Sequence, residues 1–284
     1  MTDTEPLPQP LITIGMPVYN GEKHLRPALD SLLNQTYRNF IIIVSDNAST
    51  DRTGVICSEY ASSDSRIHYV RQTINIGAEK NFRFVLEQAK SEFFIWAAAD
   101  DTRSPDFLDL NLSFLLGHSD FIGSTSPVRF SSREFDQTIM GDATLNQENR
   151  QERLIAFFGT WHANARFYSL FRREALMHWK NLDNGFLGSD WTLITYLTSI
   201  GKLNRHSEGW LQLGTGGASN TSNIFARYRN RWIDWVFPFN KLTIDTMQYM
   251  KGTSPRQQLR VIYYLARLNL QALLAQYKVS KREK

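Results

Sequence analysis

Residues Phe94–Asp101 read FIWAAADD, an apolar run with the composition of a buried strand that ends in two adjacent carboxylates. Two neighbouring acids repel each other, and that cost is tolerated best where a cation or a ribose hydroxyl lies between them. Magnesium and manganese prefer carboxylate oxygens and bind through one or two of them plus substrate phosphates. The same pair equally describes a solvated loop that caps the next helix. The neighbouring sequence has to decide between these readings.

Upstream, strand and helix patterns alternate with little slack. Leu11–Val18 is an apolar run closed by Pro17, Asn20 and Gly21. Glu22–Asn34 places Leu25, Leu29, Leu32 and Leu33 at helical spacing, and Phe40–Val44 is a β-branched strand ending at Ser45-Asp46-Asn47. A capped helix through Ile56 and Tyr60, a strand over Ile67–Val70, a helix over Ala78–Ala89 and the strand Phe93–Ala98 follow, with Pro105 opening a helix to Leu116. Such alternation implies βαβ units and a mostly parallel, Rossmann-like sheet flanked by helices. Ligands of such sheets bind beyond the carboxyl ends of the strands. Asn20, Asp46, Asn47, Asp100 and Asp101 are therefore expected along one edge.

The second half is less regular. Residues 130–147 read as a long loop, Glu148–Phe158 as a helix, Ala165–Phe171 as a strand, and Gly185–Ser189 as a turn before a helix beginning near Asp190. Gly209–Asn223, rich in glycine, serine and asparagine, reads as a mobile segment, and Ile224 onward as helical, interrupted by Pro238.

Composition is that of an ordinary globular chain: 284 residues, 42% hydrophobic and 21% charged. The single cysteine, Cys57, excludes an intramolecular disulfide and a Cys-based metal site, and fits a reducing, cytoplasmic compartment. Residues 1–10 are polar and proline-rich, without the charge and apolar pattern of a secretory signal, and no stretch approaches the ~20 apolar residues of a membrane span. The tail from Lys251 holds eight basic residues against Glu283, which leaves residues 1–250 at net −3 in a chain of net +4. The apolar Leu259, Ile262, Leu265, Leu270 and Leu274 recur along that tail among its arginines. It is expected either to pack on the body or a second copy of the chain, or to lie peripherally on an anionic membrane at its inner face.

Three motifs close the predicted strands: MPVYNG at Met16–Gly21, VSDNASTD at Val44–Asp51, and the acidic pair. Each alone reads as readily as a turn or cap. In their order and spacing, with LLNQTYRNF before the second and Asn75, Gly77 and Asn81 after it, they resemble the family 2-like inverting glycosyltransferases of the GT-A fold over about the first 220 residues. The resemblance implies a catalytic domain over residues 11–221, its nucleotide-binding part over 11–128 and its acceptor part over 129–221, and a C-terminal helical extension over 222–284. Pro17 and Tyr19 would border base and ribose, with Asn20, Asn75, Gly77 and Asn81 around the nucleotide. Asp46 or Asn47 would read the base edge, Asp100 the ribose or a metal-bound water, and Asp101 would bind Mn²⁺ or Mg²⁺. Ala99 stands where the family's Asp-x-Asp begins, which leaves Asp101 as the more secure ligand.

The resemblance also places a catalytic base near Gly188-Ser189-Asp190-Trp191, where Asp190 is the one carboxylate; as a residue, it could as well cap the helix. The implied partners are a nucleotide-sugar donor, a UDP-sugar foremost, and a saccharide or lipid-linked saccharide acceptor in cell-surface polysaccharide or glycolipid synthesis. No nucleic acid is expected. Two rivals remain open: a binding-only module of the same fold, and a sugar nucleotidyltransferase, although residues 18–25 (VYNGEKHL) lack the Gly-rich triphosphate loop of the latter. A dinucleotide oxidoreductase is excluded because no G-x-G-x-x-G follows the first strand.

Overall fold

The computed structural model describes residues 12–130, 143–159, 165–179, 185–215, 227–229 and 231–282, with side chains described to residue 277. Residues 1–11, the Pro-rich lead-in among them, lie outside that set. The strands are β1 (Ile12–Val18), β2 (Phe40–Asp46), β3 (Ile67–Arg71), β4 (Phe93–Trp96), β5 (Thr102–Arg103), β6 (Phe121–Thr125), β7 (Val128–Phe130), β8 (Leu170–Arg172), β9 (Lys202–Arg205) and β10 (Leu211–Leu213). The helices are α1 (Leu25–Leu33), α2 (Thr53–Ser63), α3 (Ala78–Gln88), α4 (Phe107–Gly117), α5 (Arg150–Gly159), α6 (Arg173–Met177), α7 (Ser189–Ile200), α8 (Ile233–Val236), α9 (Asn240–Tyr249) and α10 (Pro255–Arg282).

Seven strands form one sheet in the order β3-β2-β1-β4-β8-β6-β9. β8 alone runs against its neighbours, so the sheet is mostly parallel. Both faces are buried, as a parallel sheet requires, and the period of two sorts side chains between them. Ile12, Ile14, Met16, Phe40, Ile42, Val44, Phe93 and Ile95 face the layer of α1, α2 and α4. Ile43, Phe94 and Trp96 face α3, α5, α7, α9 and α10. The register sets Val18 opposite Asp46 and Gly15 opposite Trp96, which brings the carboxyl ends of β1, β2 and β4 to one edge.

Several boundaries differ from the sequence expectation. β4 stops at Trp96, and residues 97–101 leave the sheet to reach β5. α4 opens at Phe107, two residues beyond Pro105. Ala165–Tyr168 is a 3-10 turn ahead of β8, so only its end is strand. Leu211–Leu213, expected to be mobile, is the central strand of a second sheet ordered β5-β10-β7. Among the described residues from 231 onward the chain forms three helices, broken at Pro238, which fits no helix interior, and at Gly252, whose φ is +80°.

Cys57 lies fully buried on α2, and burial, with the charge of Asp46, pushes its thiol up to about 12. The thiolate is the reactive form. Disulfide-exchange labelling of the native protein at pH 8 is expected to be about 10³-fold or more slower than in denaturant, because it waits for opening of the domain. Fast native labelling would mean that α2 is not held as described.

Candidate active site

The rim of the edge is built from three segments. Asn20 and Ala48 have φ of +50° and +58°, a conformation uncommon in residues with a Cβ and often found at functional turns. These turns are laced together. The Asn20 amide donates to Ser49 Oγ at 2.9 Å, the Thr50 amide donates to Asn20 Oδ1 at 2.9 Å, and the Gly21 amide donates to Thr53 Oγ1 at 2.8 Å. Asp46 is sealed by protein groups: Oδ1 accepts from the Ser49 amide at 2.8 Å, and Oδ2 accepts from Arg71 Nη1 at 2.8 Å and Tyr69 Oη at 3.1 Å.

Asn47 ties the third segment down, donating to Asn75 Oδ1 at 2.9 Å and the Gly77 carbonyl at 3.2 Å while accepting from the Ile76 amide at 2.8 Å. Asn81 is likewise turned inward, bonding the Ser45 hydroxyl and carbonyl at 2.6 and 2.9 Å. Asp46, Asn47 and Asn81 thus frame the edge. Pro17 closes β1 opposite Ser45, and Tyr19 stands at the open surface with 49% of its area exposed. An exposed ring in this position offers a face for stacking.

The acidic corner adjoins this rim. Asp101 is 3% exposed; its Oδ1 accepts from the Gly214 amide at 2.9 Å, and its Oδ2 has no protein partner. Burial raises this carboxyl to about 7, against the opposing pull of Arg103 and the Gly214 N–H. Arg103 is itself buried under the corner, donating Nη2 to the Trp96 carbonyl at 3.0 Å, and burial lowers its pKa. Tyr168, at the end of the 3-10 turn, is held far above its ordinary pKa by burial and then by the charges of Asp101, Asp100 and Asp190. One phenol therefore senses carboxylates from two segments almost ninety positions apart in sequence.

Asp190 lies in the first turn of α7, whose N-cap is Gly188 with φ +84°. The N-cap position itself is thus occupied by Gly188 rather than by Asp190. Gly188 is required twice over: by its left-handed φ, and by the Phe239 ring, which a Cβ would meet at 2.9 Å. Glu79, in the first turn of α3, accepts from Tyr228 Oη at 3.3 Å and lies 3.8 Å from Arg227. Trp191 packs edge-on against Phe157 in the core.

The basic residues of the acceptor half are structural pins. Arg166 is buried and donates to the Ala143 carbonyl, Arg172 bonds the Phe121 and Leu115 carbonyls, and Arg173 bonds the Ser91 carbonyl. His206 is half-buried against the Phe114 ring. His162, Asn164, Gly216 and Gly217 lie outside the described residues.

The corner suits a divalent cation through its chemistry. Asp101 presents a buried oxygen without a partner, aligned by a backbone N–H on its other oxygen, and Asp100 stands beside it. No group of three His, Cys, Asp or Glu side chains suited to a metal occurs among the described residues. A cation held through Asp101 would take its remaining ligands from phosphate and water.

Comparison with known proteins places this geometry. The family described as Glycosyl transferase family 2 matches residues 13–179. Glycosyltransferase GlyA of Streptococcus pneumoniae is 37% identical over 98 residues, 34% of this chain and 14% of that protein. The putative teichuronic acid biosynthesis glycosyltransferase TuaG of Bacillus subtilis is 31% identical over 111 residues, 39% of this chain and 44% of that protein. The chain thus spans less than half the length of these relatives. Among solved structures, S. aureus TarS 1-349 in complex with UDP-GlcNAc superposes with a TM-score of 0.61 at 16% identity, covering 89% of this chain and 79% of that one. Mannosyltransferase PcManGT from Pyrobaculum calidifontis, in complex with GDP-Man and Mn²⁺, gives 0.56 at 18% identity over 94% and 79%. The sheet, the acidic corner at its carboxyl edge and the match over residues 13–179 agree: this chain belongs to glycosyl transferase family 2.

Proposed function

We propose that the protein transfers a sugar, with inversion, from a nucleotide-diphosphate donor of the UDP type to a hydroxyl of a saccharide or lipid-linked saccharide. The observation that carries this reading is the buried, unpartnered Oδ2 of Asp101 at the carboxyl edge of the sheet, with its other oxygen held by the Gly214 amide and Asp100 packed against Gly214. Family membership, the nucleotide sugars in the neighbours TarS and PcManGT, and the polysaccharide role in the name of TuaG support it.

In this reading the base stacks on Tyr19, between Pro17 and the Asn75–Gly77 turn that Asn47 holds. Asp46 reaches a base N–H only as Arg71 yields, and Arg71 is half exposed, so its guanidinium can swing out. Asp100 takes a ribose hydroxyl or a metal-bound water, and Asp101 holds Mn²⁺ or Mg²⁺ through Oδ2. The cation, when bound, neutralises charge developing on the leaving diphosphate. Asp190 takes the proton from the acceptor hydroxyl as that oxygen attacks the anomeric carbon opposite the leaving group.

A thermal-shift panel of UDP-, dTDP- and GDP-sugars with Mn²⁺ tests the donor, since a ligand of the folded state raises the midpoint. NMR of the product reads its anomeric configuration. A shift with UDP-sugars, donor turnover and inversion are expected; binding without any turnover or donor hydrolysis would favour the binding-only module.

Gly214 supplies a further test. A Cβ there would meet the Asp100 carbonyl at 2.3 Å and its carboxylate at 2.4 Å, so Gly214→Ala must displace the corner. A displacement near 1 Å costs on the order of 10² in rate. The expected result is a loss of about that size in kcat/KM with a cooperative melt retained, and wild-type kinetics in the variant would remove Gly214 from the site.

A further inference from the structure

α10 carries two apolar faces, and the fold uses one. Val261, Leu265 and Ala272 are buried against the body, where α10 meets α5 and α9, and Asn269 Oδ1 accepts from the Phe239 amide at 2.8 Å. Leu270, Leu274 and Tyr277 each lie nine residues beyond an inward position (Val261, Leu265 and Leu268), which is about two and a half helical turns and therefore the opposite side. That outer side is apolar as well: Leu259, Tyr263, Leu270 and Leu274 are all more than half exposed.

Charge distinguishes the possible occupants. Between Pro255 and Arg282 there is no acid, against Arg256, Arg260, Arg267, Lys278, Lys281 and Arg282. Arg256 and Arg260 line a shallow recess of about 420 Å³ with Leu259, Tyr263 and Tyr264, joining guanidinium groups to an apolar floor. The outer residues Leu259, Tyr263, Ala266, Leu270, Leu273 and Tyr277 follow the four-three spacing of a helix–helix seam. A second copy of this helix, however, would bring like charge against like with no acid on either side. An anionic lipid surface accepts both the apolar stripe and its arginines. Among the described residues no helix is long and apolar enough to cross a membrane, so this contact lies in the interface.

We propose that the outer face of α10 docks the protein on an anionic lipid surface. The inference is independent of the proposed activity, and its test needs no substrate. The full chain is sedimented with vesicles of phosphatidylcholine, alone or with about 30% phosphatidylglycerol, at about 50 and 500 mM salt. Binding is expected only to the anionic vesicles, weakening by about tenfold or more at high salt. The pair Leu270→Asp and Leu274→Asp should lower binding by about tenfold or more while the circular-dichroism melt stays cooperative. If that variant does not fold, Arg256→Gln, Arg260→Gln and Arg267→Gln together should weaken binding and flatten its salt dependence. No sedimentation at low salt overturns the proposal, as does binding untouched by these substitutions. A concentration-dependent dimer that Leu270→Asp abolishes, without vesicle binding, assigns the face to a second copy instead.

Discussion

Asp190→Asn is expected to lower the transfer rate by roughly 10²- to 10⁴-fold while the KM for donor changes little. The substitution keeps the size of the side chain and removes its ability to hold a proton. Stability does not account for a loss of this size. The N-cap of α7 is Gly188, and the place of Asp190 in the first turn contributes an interaction with the helix dipole of ~0.3–1 kcal/mol. A change that small leaves the chain folded and shows as a minor shift in the melt. Donor affinity is expected to persist because the proposed nucleotide site runs along β1, β2 and the 75–77 turn rather than along α7. Asp190→Glu retains a base on a longer arm and should recover part of the rate, which separates proton transfer from packing. Near wild-type transfer by Asp190→Asn would place the base elsewhere, and a product of retained configuration would exclude the inverting route altogether.

The parts legible in the sequence were those with local causes. β1, β2 and β4 are buried on both faces, so their apolar runs stand out, and the polar residues that end them mark the ligand edge. β8 and β10 were harder. Each is three residues long, and each is fixed by partners far away: Phe93 and Phe94 for β8, and Thr102 and Arg103 for β10. The alternation in Ala165–Phe171 reads as a strand, yet four of its residues turn in a 3-10 helix that sets Tyr168 against the acidic corner.

The same division runs through the site. Asp100, Asp101 and Asp190 are visible as acids at element ends. Sequence offers no way to tell that Asp46, Asn47 and Asn81 spend their polar atoms on Arg71, the 75–77 turn and Ser45. A polar side chain at a strand end can face ligand or protein, and tertiary partners choose between them. Arg103 left a faint signal, a base two residues beyond an acid in a strand that enters the interior. Nothing local marked Tyr168.

Asp101→Asn is expected to remove the gain in nucleotide affinity conferred by Mn²⁺, a loss of roughly 10²-fold or more. The scale follows from general experience: groups that only orient a metal's ligands are worth 10- to 100-fold in affinity, and a direct ligand is worth at least as much. The amide keeps an oxygen for the Gly214 N–H at the 2.9 Å contact, so the corner retains its shape. It replaces Oδ2, the buried oxygen without a protein partner, by an NH₂ that repels a cation. It also withdraws a negative charge that acts through space on the buried Arg103, without breaking a hydrogen bond between the two side chains. The ligand-free variant should therefore melt within a few degrees of wild type, while the nucleotide-induced shift in Mn²⁺ collapses to its value in chelator. Nucleotide without metal tests the alternative in which Arg103 holds the phosphates itself. In that case Asp101→Asn would bind nucleotide as well as wild type or better, with or without Mn²⁺, and the metal assignment would fall.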